Sequence, residues 1–200
     1  MPLRKRNLKA SPPQHKKGRP VGQKTKSIET VGNGESIIID AWRGKNYKWA
    51  IEGIKREFQH MRNSPMPGNL KPTLASIVDE PFNDEDWQFE IKWDGYRSIA
   101  YINNGTADLF SRNNLSFNHK YQSIVEALKA WPVNAVVDGE IVVLSENGKA
   151  DFSALQQWDK KRTGEILYFV FDIIWAEGID LRKEPLTARR EVLRKLMPEN

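Results

Sequence analysis

The stretch Trp87-Gln88-Phe89-Glu90-Ile91-Lys92-Trp93-Asp94-Gly95-Tyr96-Arg97-Ser98-Ile99-Ala100-Tyr101-Ile102 decides how this chain is read. Strand-like runs flank the hexapeptide Lys92–Arg97, and the pattern predicts strands over 87–91 and 98–103. Between them, Asp94-Gly95 reads as a tight turn. Such a turn would expose Lys92 at the end of a rigid strand, a good way to aim an amine at a phosphorus atom. A solvated lysine at a strand end is the plainer alternative.

Outward from that stretch, the pattern is α+β from Leu70 onward. Further strands are predicted over 107–111, 134–144 and 166–175, and helices over 119–130, 152–160 and 187–197. Asn103-Asn104-Gly105 and Asn147-Gly148 are hairpin signals, so the sheets should be largely antiparallel with helices packed on their outer faces. Asn63-Ser64-Pro65-Met66-Pro67-Gly68-Asn69 marks a boundary. Before it, Ile51, Ile54, Phe58 and Met61 form the stripe of an amphipathic helix, and Ser36–Asp40 reads as a strand or a buried entry segment. The expected organisation is a basic disordered tail over 1–35, an appendage helix and linker over 36–69, and the main domain over 70–200.

Lys92-Trp93-Asp94-Gly95-Tyr96-Arg97 matches K-x-D-G-x-R and resembles the signature of nucleotidyltransferases that carry AMP or GMP on lysine. Three further elements follow in that family's order. Phe110-Ser111-Arg112-Asn113-Asn114 resembles its Ser-Arg element, Val136-Val137-Asp138-Gly139-Glu140-Ile141-Val142 its D-G-E strand, and Tyr168-Phe169-Val170-Phe171-Asp172-Ile173-Ile174 its aromatic-Asp strand. Pro185-Leu186-Thr187-Ala188-Arg189-Arg190 resembles the segment after it. The chain is similar to ATP-dependent DNA ligases, and in style to the ligase module of bacterial multidomain end-joining repair ligases.

That resemblance implies a nucleotidyltransferase (adenylation-domain) fold and sets an expectation for each residue. Lys92 would be the catalytic amine that becomes a lysyl-adenylate. An unperturbed lysine is almost wholly protonated at neutral pH, so activation by desolvation and neighbouring cations is expected. Glu90, on the same strand face as Lys92, would meet the adenine edge, and Arg97 the ribose. Arg112 would lie near the nucleotide phosphate, and Phe171 would stack on adenine. Glu140 would serve both nucleotide and Mg2+, with Asp94, Gly95, Ser111 and Asp138 in support. ATP and Mg2+ are the implied cofactors, DNA nicks or broken ends the substrate, a Ku-type end-binding protein a partner, and the cytoplasm the location.

Plainer readings stand beside these. Arg97 and Arg112 read equally as surface arginines and Phe171 as sheet core. Asp138-Gly139 reads as a two-residue hairpin loop that would leave Glu140 just past an exposed turn, whereas a continuous strand through 138–144 would favour the site. Asp172, in an apolar strand, needs a buried partner, a backbone donor or a cation. The resemblance also implies a second acidic metal-binding motif, a K-x-K strand and an OB-fold domain. None of these is found before Asn200, so the sequence reads as the N-terminal part of such an enzyme. An RNA ligase or capping-type nucleotidyltransferase, or a noncatalytic DNA-binding remnant of the fold, are the rival readings.

Bulk properties agree and decide less. The net charge of +5 is local, because nine of the 31 Lys and Arg residues lie within residues 1–26 and no acid does. Residues 27–200 therefore hold 22 bases against 26 acids. A flexible cationic segment binds nucleic acid by releasing counterions, or simply solubilises and links. The chain contains no cysteine, which excludes disulfides and thiolate metal sites. It has no apolar run near ~20 residues and no apolar N-terminal stretch of the secretory type.

Overall fold

Four of the five predicted strands form, at the expected places. The computed structural model describes residues 45–74, 77–84 and 87–197. The predicted tail over 1–35 and the Ser36–Asp40 segment lie outside the described residues. Strands β1 (Tyr96–Asn103), β2 (Thr106–Ser111), β3 (Ala135–Leu144), β4 (Glu165–Ala176) and β5 (Ile179–Asp180) make one antiparallel sheet in the order β2-β1-β3-β4-β5. The helices are α1 (Tyr47–Glu57), α2 (Gln122–Ala130), α3 (Phe152–Gln156), α4 (Trp158–Lys161) and α5 (Leu186–Leu196). The class is α+β, as expected.

The β1–β2 hairpin turns at Asn104 and Gly105, with φ of 48° and 75°. Two successive positive φ values match the right-handed twist of the flanking strands, which is why Asn-Gly is favoured there. Asn147-Gly148 also turns the chain, but it closes only an isolated Leu144–Ala150 bridge before α3.

Alternation along the strands sends residues to two different environments. Ala100 and Ile102 of β1 and Val137, Ile141 and Val143 of β3 enter the main core with the buried faces of all five helices. On the opposite face, Ile99, Val136 and Trp175 form a smaller cluster with Met66, Leu70 and Tyr101. The linker holds that end down, since the Leu70 amide donates to the Tyr101 hydroxyl (2.9 Å) and the Trp175 indole donates to the Ser64 carbonyl (3.0 Å). The other end of the same face carries Arg97 and Glu140, which stand opposite each other in the β1–β3 register.

Helix α1 is part of this packing. Tyr47, Ala50, Ile54 and Phe58 are buried in the main core, and Glu57 pairs with Lys195 of α5 (2.6 Å).

The strand expected over 87–91 does not form. Residues 87–93 have no regular secondary structure, and Trp87, Phe89 and Ile91 are 61, 62 and 72% exposed. A strand is stabilised by a ladder on at least one edge, and no described segment pairs with this one. Asp94-Gly95 is consequently a bend leading into β1 rather than a hairpin turn.

Candidate nucleotide site

Strand β3 runs unbroken through Asp138-Gly139-Glu140, so the hairpin-loop alternative falls. Glu140 is half-buried on the open sheet face, and Asp138 is only 3% exposed. Asp138 is gripped bidentately by Arg97, with Nε to Oδ1 at 2.6 Å and Nη2 to Oδ2 at 2.8 Å. Planar fork-to-carboxylate pairing fixes the guanidinium plane. The same guanidinium lies 4.4 Å from the centre of the Phe171 ring. Phe171 is thus neither bare nor plain core, because a cation already occupies one of its faces.

Register explains how Phe171 comes there. Gly139 pairs with Val170, but Asp138 pairs with Asp172, leaving Phe171 as the extra residue of a bulge. The two-residue alternation of a regular strand is interrupted in β4, and Asp172 stands opposite Asp138. Asp172 has both partners anticipated for it, the Ile173 amide (2.8 Å) and the Arg189 guanidinium (2.8 and 2.7 Å).

Charge in the site follows from burial and proximity. Burial pushes the Glu140 carboxyl above its ordinary value, opposed by the positive charges of Arg97 and Lys92 and reinforced by Asp138 and Asp94. Burial likewise raises Asp138, against the pull of Arg97. Burial lowers Arg97, but its bond and charge contact with Asp138 outweigh this and leave it above its usual range.

Lys92 is within electrostatic reach of Glu140, yet its side chain is exposed and has no hydrogen-bond or ion-pair partner among the described residues. The desolvation expected of it is absent, because residues 87–91, which precede it, lie in solvent rather than in the sheet. Glu90 shares no strand face with Lys92 either. It pairs with Arg190 of α5, which also reaches Gln88 Oε1 (3.3 Å) and the Phe171 carbonyl (3.3 Å). Glu90 and Phe171 are brought together by an arginine that had been assigned no role.

Gly95 is required by contact. A Cβ there would sit 2.1 Å from the Ile141 carbonyl oxygen and 3.0 Å from Glu140 Cγ, so the lysine-bearing segment abuts β3. Ser111 ends β2, and its hydroxyl accepts from the Asn113 and Leu115 amides (3.3 and 3.0 Å). Arg112 is exposed, and its amide donates to the Arg97 carbonyl (3.2 Å). Asp94 is exposed beside Glu140. Two aromatic residues were missed. Trp93 stacks on Phe169 with centroids 3.9 Å apart and planes 4° from parallel.

Residues 69–200 match the family model of the ATP dependent DNA ligase domain. The chain belongs to that family. Among curated relatives of this ligase domain, the multifunctional non-homologous end joining protein LigD of Pseudomonas aeruginosa is 40% identical over 136 residues, covering 67% of this chain and 16% of that protein. The SPbeta prophage-derived DNA ligase-like protein LigB of Bacillus subtilis is 34% identical over 129 residues, covering 64% of this chain and 47% of that protein. The chain thus spans less than half the length of either relative. A crystal structure of the ligase domain of Mycobacterium tuberculosis LigD aligns over 54% of this chain and 36% of that one, with 30% identity and a TM-score of 0.49. No helix among the described residues is long and apolar enough to cross a membrane.

Proposed function

We propose that this chain carries the adenylation chemistry of an ATP-dependent DNA ligase acting in end-joining repair, with Lys92 as the nucleophile. The observation that carries this reading is the grouping of Arg97, Asp138 and Glu140 at the open end of one sheet face, with Lys92 within electrostatic reach of Glu140, inside a ligase-domain match. The Lys92 amine, after losing its proton to solvent, attacks the α-phosphorus of ATP. A phosphorus–nitrogen bond forms, the bond to the bridging oxygen breaks, and pyrophosphate leaves. The lysyl-AMP then passes its adenylate to a DNA 5′-phosphate, and a 3′-hydroxyl displaces AMP to seal the strand.

The remaining residues bind and orient. Phe171 and Glu90, linked through Arg190, would meet the base. Arg97, locked by Asp138, faces the sugar, and Arg112 lies in the run that pairs with Arg97. Gly95 permits the close approach to β3, and Ser111 shapes the loop that carries Arg112. No described group of three or more acidic or imidazole side chains forms a metal cage. Glu140, with Asp94 nearby, nonetheless suits Mg2+, which typically takes one or two carboxylates and completes its shell with water and substrate phosphates. Mg2+ bound there would offset phosphate charge. DNA ends belong to the same reading by likeness to relatives named for end joining, and a Ku-type partner and a cytoplasmic location by the family resemblance of the motifs.

Incubation with α-labelled ATP and Mg2+ tests it. A covalent AMP adduct should form on the chain, be reversed by pyrophosphate, and vanish in Lys92→Ala. An adduct that persists in Lys92→Ala removes Lys92 from the mechanism. Preference for GTP, or for nicked RNA over nicked DNA, would favour a capping enzyme or an RNA ligase instead.

A further inference from the structure

The Trp93–Phe169 stack has no assigned role, and its place in the sheet gives it one. Phe169 belongs to β4 and stands opposite Glu140 of β3. Gly95, two residues after Trp93, touches β3 at Glu140 and Ile141 and leads into β1. The chain must therefore pass from β1 across β3 before Trp93 can reach β4. Lys92 is the next residue along that path, exposed and within electrostatic reach of Glu140.

Little else holds this path. Residues 87–93 form no ladder, and Lys92 itself has no hydrogen-bond or ion-pair partner among the described residues. On the far side of Lys92, Arg190 grips Gln88 and Glu90. On the near side, the indole on Phe169 is the only aromatic contact that ties the segment to the sheet among the described residues. Aromatic pairs contribute about 0.5–1.5 kcal/mol beyond their buried area, comparable with the cost of about 1–2 kcal/mol of fixing one residue's backbone.

We infer that Trp93, stacked on Phe169, is the positioning residue for Lys92, holding the amine over the Glu140–Arg97 face. This deepens the adenylation reading and rests on it for its catalytic consequence, while the positional part stands by itself. Misplacing a nucleophile by about 1 Å costs on the order of 10²-fold in rate. A plane-for-plane contact is kept by phenylalanine and lost by alanine.

Two measurements on the full chain decide the matter. In 15N relaxation, the Lys92 and Trp93 amides of the wild type should show order parameters near the rigid value of about 0.85. Trp93→Ala and Phe169→Leu should each lower them towards about 0.6, and Trp93→Phe should restore them. In adduct formation, Trp93→Ala should lower the rate at saturating ATP about 10²-fold with little change in KM, and Trp93→Phe should recover most of it. Order parameters that are already low in the wild type, or unchanged in both disrupting variants, overturn the inference. So does a Trp93→Ala defect confined to KM. If the wild type forms no adduct, the adenylation reading fails separately and the relaxation result still decides the positional one.

Discussion

Arg97 on β1 and Asp138 on β3 form a two-point ion pair between neighbouring strands, at 2.6 and 2.8 Å, with the Phe171 ring beneath the guanidinium. The side chains are unequally sheltered, 29% exposed for Arg97 and 4% for Asp138. The pair does two things at once. It neutralises a carboxylate that the sheet has taken out of water, and it fixes a cation on the face where Glu140 lies.

Breaking this pair should cost differently from its two ends. Asp138→Ala leaves a partly buried guanidinium that cannot shed its proton, and should destabilise by about 2–3 kcal/mol, below the fully buried range because Arg97 is partly solvated. Arg97→Met leaves a buried carboxyl that can take up a proton, so its cost should shrink as pH falls. Urea unfolding at about pH 5 and pH 8 measures both, and equal pH dependence in the two variants would contradict this account.

Glu140 should make the protein more acid-tolerant rather than less. Its folded value is raised by burial above the unfolded one, so the native state holds the proton more tightly. The stability this contributes is fully present below the unfolded value of about 4.3 and is lost as pH rises through the higher folded value. Glu140→Gln should therefore unfold at higher urea than wild type at about pH 7, with the two curves converging towards about pH 4.

Two glycines should respond to alanine with opposite signs. A Cβ on Gly139 would lie 2.5 Å from the Phe169 carbonyl oxygen and 2.7 Å from the Tyr168 ring. That ring crosses β3 there so that its hydroxyl donates to the Ser98 carbonyl of β1 (2.8 Å). Gly139→Ala should cost about 3 kcal/mol, as overpacking against backbone does. Gly53 sits inside α1 with nothing within 4 Å of its Cβ position. Gly53→Ala should stabilise by about 0.5–1 kcal/mol through helix propensity. Thermal unfolding of the two variants reads both signs.

Helix α1 precedes the ligase-domain match, yet its burial argues that it folds with the sheet. Ile54 is fully buried in the main core. Ile54→Ala should cost about 2–5 kcal/mol in a single cooperative transition. A separate early transition that leaves the sheet signal intact would show that α1 melts alone.

How far the sequence could be read varies residue by residue. Strands β1–β4 were legible because each alternates against a core it meets through its own neighbours, and Asn104-Gly105 announces its turn chemically. The segment 87–91 carries an equally strand-like pattern and failed. Periodicity reports which faces are apolar, not whether a partner strand lies alongside. The family resemblance gives Glu90 the adenine edge, but its sharing a face with Lys92 follows from a two-residue spacing that has meaning only in a strand. Trp93, Phe169 and Arg190 were overlooked because stacking and clamping across β3 join residues far apart in the chain, and no local pattern marks such pairs.

By itself, the sequence determined the α+β class and the places of four strands along the chain, since propensity, alternation and turn chemistry are local properties, while the candidate site residues came from the resemblance of its motifs to a known family. Only the tertiary structure decided that Arg97 is bound to Asp138 and lies on Phe171, that Lys92 stands in solvent rather than in a dry pocket, and that a bulge turns Asp172 towards Asp138. Those outcomes depend on register between strands and on which surfaces find a partner, and both are set by the whole chain packing at once.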